Sequence, residues 1–207
     1  MMNSPDRESI VAVYSGSFDP IHNGHLAVAG YISSLPWVRK VMLSVSPRNP
    51  LKSGSGISPD VFRIEMAKAA VDNYPGIEVT DVEMTLPSPS YSIHFLDRLK
   101  ELCPDCRFAL VIGADNWLAF DKWYKPQEIL SRHGVIVCPR PGYPVPVPSS
   151  LFQEEYELGE GAVYLPRAPL VEVSSTEIRR RIAAGESVGD LVPREVELII
   201  REENLWR

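Results

Sequence analysis

Only three cysteines occur among 207 residues, too few for a disulfide scaffold and in keeping with a reducing compartment. Long hydrophobic runs are missing as well. The longest strictly apolar stretches, such as Ile10 to Tyr14 and Phe108 to Ile112, are five residues, against the roughly 20 needed to cross a bilayer. Positive charge is in deficit, with 21 Lys and Arg against 27 Asp and Glu and a formal charge of −6. No global field therefore draws in nucleic acid or an anionic membrane, and an anionic ligand has to be held by a local cluster. The start, MMNSPDRES, lacks the basic and apolar stretches of a secretory signal, so the expected location is cytoplasmic. There is no repeat, no HExxH and no low-complexity tract beyond the proline-rich PRPGYPVPVP. Oligomeric state is not written in the sequence.

What is present describes a soluble globular chain, 44% hydrophobic and 23% charged. A single domain over 1–207 would bury about 70% of its unfolded surface and needs no metal or disulfide staple. Of the 19 prolines, five fall in Pro139 to Pro148, which predicts a stiff surface loop over 139–150. Ile10–Tyr14, Val41–Val45, Ile77–Val82, Phe108–Ile112 and Gly134–Val137 read as strands, and Ala162–Leu165 as a further one. Between them His25–Leu35, Pro59–Asn73, Ser92–Leu102 and Pro126–Leu130 read as helices. Ser174–Ala184 and Pro193–Glu203 form a C-terminal helical part within 174–207. This alternation predicts an α/β fold with an open, doubly wound parallel sheet, whose ligands sit beyond the carboxyl ends of the strands.

The first strand runs directly into Ser15-Gly16-Ser17-Phe18-Asp19-Pro20-Ile21-His22-Asn23-Gly24-His25 and a helix follows. Gly16 allows a ligand close to the main chain, and the helix start offers free amides and partial positive charge to an anion. His22 and His25 place two imidazoles at that mouth. They could equally ligate a metal or be plain loop residues. Near the other end, Ser174-Ser175-Thr176-Glu177-Ile178-Arg179 opens a helix. Ser174 and Glu177 have capping-box spacing, and the same amides and hydroxyls, with Arg179, could grip a second phosphate.

Ser15 to His25 resembles the (G/S)xFDPxHxGH signature of the nucleotidylyltransferases, in particular the nicotinate mononucleotide adenylyltransferases, although a second glycine is common where this chain has Ser15. SSTEIR is similar to that family's (I/V)SSTxIR, and the likeness runs on to Leu191-Val192-Pro193. The resemblance implies a Rossmann-like nucleotidylyltransferase fold with C-terminal helices, and transfer of AMP from ATP to nicotinate mononucleotide with release of pyrophosphate. It implies ATP contacts from Gly16, Ser17, Phe18, His22, His25, Gly113, Asp115, Ser174, Ser175, Thr176 and Arg179, and catalytic roles for His22, His25, Lys52 and Arg179. For the mononucleotide it implies Ser17, Lys52, Ser92, Trp123 and Tyr124, with Trp123 stacking on the cationic pyridine ring. Leu51 stands where a histidine often precedes the lysine, and Ser92 replaces the usual threonine.

A phosphate monoester is largely ionised at pH 7, its second pKa lying near ~6, so the acceptor needs no general base. Mg2+ is expected on the ATP phosphates, with no protein metal ligand. Nicotinamide mononucleotide or pantetheine phosphate as acceptor, a cytidylyltransferase, a non-catalytic dinucleotide sensor and a zinc hydrolase of His22, His25 and a cysteine are the competing readings. Arg63 could be a basic position near the site or a helix-surface charge. Arg180 and Arg181 read as solvated charges, Trp117 and Tyr143 as packing residues, and the solitary Cys103-Pro104-Asp105-Cys106 as incidental.

Overall fold

The computed structural model describes residues 10–47, 57–146, 156–157, 161–170 and 172–207. Lys52, and the end of the proline-rich segment from 147, lie outside the described residues.

Strands β1 (Ile10–Gly16), β2 (Val38–Val45), β3 (Ile77–Thr80), β4 (Arg107–Gly113), β5 (Val135–Cys138), β6 (Tyr156–Glu157) and β7 (Ala162–Tyr164) form one sheet in the order β3-β2-β1-β4-β5-β7-β6. All neighbours are parallel except the β6–β7 pair. Alternation along β1 shows why both faces need cover. Val11 and Val13 enter one core with Ile93, Phe95, Leu96 and Ile129, while Ala12 enters the other with Leu26, Ile32, Met66 and Val196. The helices supplying those residues are α3 (Ser92–Leu102) and α5 (Pro126–Arg132) on the first face. On the second they are α1 (Asn23–Ser33), α2 (Asp60–Val71), α6 (Ser175–Ala183) and α7 (Arg194–Glu202). At about 1.5–3 kcal/mol for each large side chain removed from water, the two cores make the sheet the rigid floor of the molecule.

The predicted strands and long helices stand where periodicity puts them, within a few residues. A four-residue helix, α4 (Ala114–Trp117), and short 3-10 turns at Val82–Thr85 and Phe120–Lys122 carry too little pattern to be seen in sequence. Among the described residues no helix is long and apolar enough to cross a membrane. Strand order reverses between β1 and β4, and at such a switch point the loops leaving two adjacent strands part and open a crevice.

Candidate active site

From Gly16 the chain turns through Ser17–Ile21 into α1. Phe18 holds φ 44°, a region costly for an aromatic residue, and the Asp19–Pro20 peptide is cis. A Cβ on Gly16 would stand 3.2 Å from the Phe18 ring, a contact tight enough to press the ring aside. Support comes from below. The Ser46 amide donates to the Gly16 carbonyl at 2.9 Å, and Arg63 Nη1 donates to the carbonyls of Ser17 (2.6 Å) and Ser46 (2.9 Å). Arg63 is fully buried, which corrects the helix-surface alternative.

His22 is the N-cap residue of α1 and only 4% exposed. Its ring stacks on that of His25 with centroids 3.6 Å apart, and Phe18 meets His25 edge-on at 4.9 Å. The His22 amide donates to His25 Nδ1 at 3.3 Å, which leaves the His25 proton on Nε2 as a donor. Burial, with the positive Arg140 nearby, lowers the His22 pKa to about 4. Burial, His22 and Arg140 together push His25 well below the imidazole range. Lowered pKa values keep both rings neutral at pH 7, each with one N–H available to donate. His22 Nδ1 is buried without a hydrogen-bond partner among the described residues. Such an orphan costs about 1–3 kcal/mol until something pairs with it.

These shifts set a pH dependence. An unfolded histidine titrates near ~6.5, above the folded value of about 4 for His22, so on acidification the unfolded chain takes the proton first. The stability contribution is complete above about pH 6.5 and is lost as pH falls toward 4. At about 1.4 kcal/mol per pKa unit, acidification from neutral pH to about pH 4 costs the fold about 3 kcal/mol through His22. Urea midpoints measured at pH 7 and pH 4.5 should differ accordingly, and His22→Gln should flatten the difference. An unchanged pH slope in that variant would assign the effect to other groups.

The distal motif arrives at the same turn. Ser174 Oγ caps α6 by accepting from the Glu177 amide at 3.2 Å. The Glu177 carboxylate pairs with Arg180 and Arg181 at 2.8 and 3.0 Å, so those arginines are ion-paired rather than merely solvated. Ser175 Oγ donates to the Pro20 carbonyl at 2.9 Å and Arg179 Nη1 to the Asp19 carbonyl at 2.7 Å. Arg179 Nη2 reaches Thr176 Oγ1 at 3.3 Å. The Asp19 carboxylate, 1% exposed, accepts the Ser58 amide at 3.2 Å. Burial nevertheless raises its pKa, against the hydrogen bonds from Ser58 and the charges of Arg179 and Arg63. Asn23 completes the junction, its amide donating to the Leu191 carbonyl at 2.9 Å and its Nδ2 to that of Asp190 at 3.0 Å. The histidine turn and the serine-rich helix start, more than 150 residues apart, share one wall.

Across the switch point, β4 ends at Gly113 and α4 follows. A Cβ on Gly113 would meet Asp115 Oδ1, so that carboxylate would have to move to admit one. Arg140 Nε lies 3.9 Å from Asp115 Oδ2. Arg140 escapes the sequence reading, yet a signal for it exists: it follows β5, whose Cys138 is in register with Gly113, so it belongs to the loops beyond the strand ends. At the start of α3, the Tyr91 ring lies 4.4 Å from that of Tyr124, which brings Ser92 and the Trp123-Tyr124 segment together. Trp123 rests on Phe120 at 5.3 Å, and Trp117 stacks on Phe120 at 5.4 Å as a packing residue. Tyr143 is instead 47% exposed, because it sits in the turn closed by its own amide on the Arg140 carbonyl. Cys103 and Cys106, read as incidental, are joined by a disulfide at the end of α3. Cys138 is free and buried.

Among the described residues no three His, Cys, Asp or Glu side chains gather to hold a metal ion. The nearest carboxylates are committed, Asp19 to Ser58 and Arg179 and Asp115 to Arg140. Among the described residues, no third such side chain joins His22 and His25.

Residues 13–181 match the cytidylyltransferase-like family model. A Bacteroides thetaiotaomicron protein named "Probable nicotinate-nucleotide adenylyltransferase" is 40% identical over 190 residues, covering 92% of this chain and 90% of that protein. A Bacteroides fragilis protein of the same name is 39% identical over 176 residues, covering 85% and 83%. In fold, the Plasmodium falciparum nicotinic acid mononucleotide adenylyltransferase complexed with NaAD superposes with a TM-score of 0.74 at 18% identity, over 96% of this chain and 97% of that one. The shared fold, the two converging motifs and this identity along most of the chain carry one conclusion: the protein belongs to the nicotinate-nucleotide adenylyltransferase family.

Proposed function

We propose that this chain transfers the adenylyl group of ATP to nicotinate mononucleotide, forming nicotinate adenine dinucleotide and releasing pyrophosphate, a step of NAD biosynthesis. The observation that carries the reading is the stacked, neutral His22–His25 pair, with one buried nitrogen unpartnered, against the wall where Arg179 and Ser175 bind the Asp19-Pro20 turn. A mononucleotide phosphate oxygen attacks the α-phosphorus. The bond from that phosphorus to the bridging oxygen breaks, and the electron pair leaves with pyrophosphate. The nucleophile is already ionised, so the protein's work is to align two anions and neutralise developing charge.

The imidazoles donate to the α- and β-phosphate oxygens. Arg179 and the α6 start, Ser174 to Thr176, meet the distal phosphates, and Arg140 adds charge on the β5 side. Gly16, Ser17 and Phe18 form the main-chain cradle, and Gly113 and Asp115 meet the ribose. The amides of Ser92 and Tyr124 are suited to a carboxylate, with Trp123 on the pyridine ring; Lys52 completes the set as a phosphate-binding lysine. Mg2+, bound chiefly through the ATP phosphates, would supply positive charge to the leaving pyrophosphate. A cytoplasmic location goes with this substrate pair.

Pyrophosphate release from ATP and Mg2+ with each pyridine mononucleotide tests the reading. The nicotinate form should react at least tenfold faster than the amide, and no release with either would overturn it. Preference for the amide or for pantetheine phosphate would reassign the acceptor. Trp123→Ala should raise KM for the mononucleotide several-fold more than KM for ATP. An equal rise in both would remove the stacking role.

A further inference from the structure

Glu83 is a carboxylate that this mechanism leaves unused. It lies in the 3-10 turn after β3, the strand that flanks β2 on the side away from β1, and is 8% exposed. One oxygen, Oε2, accepts hydrogen bonds from Ser15 Oγ at 2.9 Å and from Ser44 Oγ at 3.0 Å. Those serines are register partners near the carboxyl ends of β1 and β2. Immediately beyond them come the two segments held together by the Ser46 amide on the Gly16 carbonyl, of which the first runs through Ser17 to the histidines. In the other direction the chain leaves the Glu83 turn and within nine residues becomes the start of α3 at Ser92.

We propose that Glu83 is a positioning residue for the adenylyl transfer, a single buried acceptor that holds the β1 phosphate turn in register with β2 and ties both to the segment leading to the acceptor-binding end of α3. A carboxylate oxygen carries two lone pairs and can accept two hydrogen bonds at once. Two hydroxyl donors from different strands on one oxygen therefore lock three chain segments through a rigid point. Burial raises the Glu83 pKa while the serine hydroxyls hold it down, as expected of a carboxylate kept for its hydrogen bonds. Ser15, directly before the turn that begins at Gly16, supplies one of the donors. The assignment rests on the substrate reading above, because only the reaction of two aligned anions makes sub-ångström register of these loops matter.

The test compares Glu83→Ala, Glu83→Gln and the double variant Ser15→Ala/Ser44→Ala in pyrophosphate release, alongside thermal melting. Glu83→Ala should lower kcat/KM for the mononucleotide at least tenfold. Glu83→Gln, whose amide oxygen can accept from both serines, should stay within about threefold of the parent chain. The double serine variant should reproduce the alanine loss, and adding Glu83→Ala to it should cost less than a further twofold. A merely structural carboxylate would lower the melting temperature and leave kcat/KM of the folded protein unchanged, and that result overturns the proposal. So does a glutamine variant as impaired as alanine, or losses that multiply in the triple variant. Should Glu83→Ala not fold, the serine pair decides alone, parental kcat/KM there being a refutation. A parent chain that releases no pyrophosphate overturns the substrate reading and the Glu83 role with it, whereas an active parent with unaffected variants overturns the Glu83 role only.

Discussion

Replacing His22 with alanine lowers turnover on the order of a hundredfold and moves the melting temperature by only a few degrees. Removing one donor aimed at developing charge in a dry site costs on the order of 10²-fold to 10³-fold in rate. The modest stability effect follows from the structure. The His22 ring stacks on His25, but its buried Nδ1 has no partner among the described residues, so the folded protein loses little hydrogen bonding with it and sheds an unsatisfied atom. His25→Ala is a poorer probe, because His25 Nδ1 accepts the His22 amide and its ring meets Phe18 and Tyr14. Steady-state pyrophosphate release with a melting curve on the same sample decides the matter. A His22→Ala protein that turns over within twofold of the parent would end the assignment of these imidazoles to the phosphates.

The second large effect is on stability. Arg63→Met should destabilise the protein by about 3–5 kcal/mol, or about 10 °C in melting temperature at the roughly 2–4 °C per kcal/mol of chains this size. Apolar replacement of a buried ion pair can be neutral when both charges go, but here most partners stay behind. Arg63 donates to the carbonyls of Ser17, Ser46 and Ser58 as well as to Asp60. Asp60 is 42% exposed on its side chain and can return to water. The three carbonyls are left beneath the phosphate turn with no donor. Methionine fills the space of the arginine stem and restores none of them, and Arg63→Lys lacks the fork that spans Ser17 and Ser46. Both variants should also lose activity in the folded state, since the carbonyls they free belong to the loops after β1 and β2. A Met variant melting within 2 °C of the parent would show that the guanidinium is dispensable.

Near-continuous β-branched runs, amphipathic helices and two compact motifs were readable along the chain because each is a local property. Hydrophobic period depends on neighbours within a turn or a pleat, and GSFDPIHNGH and SSTEIR are contiguous residues whose chemistry can be named in place. Arg140 was hidden because its meaning depends on β5 lying beside β4. Glu83 was hidden, and Arg63 stood between a site position and a surface charge, because a charged residue on a helix or turn normally faces water, and only the packing of α2 and of the turn after β3 carries these two inside. The exposed Tyr143 shows the same limit from the other side.

The sequence by itself determined which segments are strands and helices, and that two clusters of phosphate-binding character sit at the starts of α1 and α6. Tertiary structure alone decided that both clusters meet at Asp19 and Pro20 and that the histidines are neutral. The division has one physical cause. Propensity and capping act over a few residues, whereas desolvation, stacking and hydrogen bonds between segments 39 to 160 residues apart exist only once the sheet has closed over both cores.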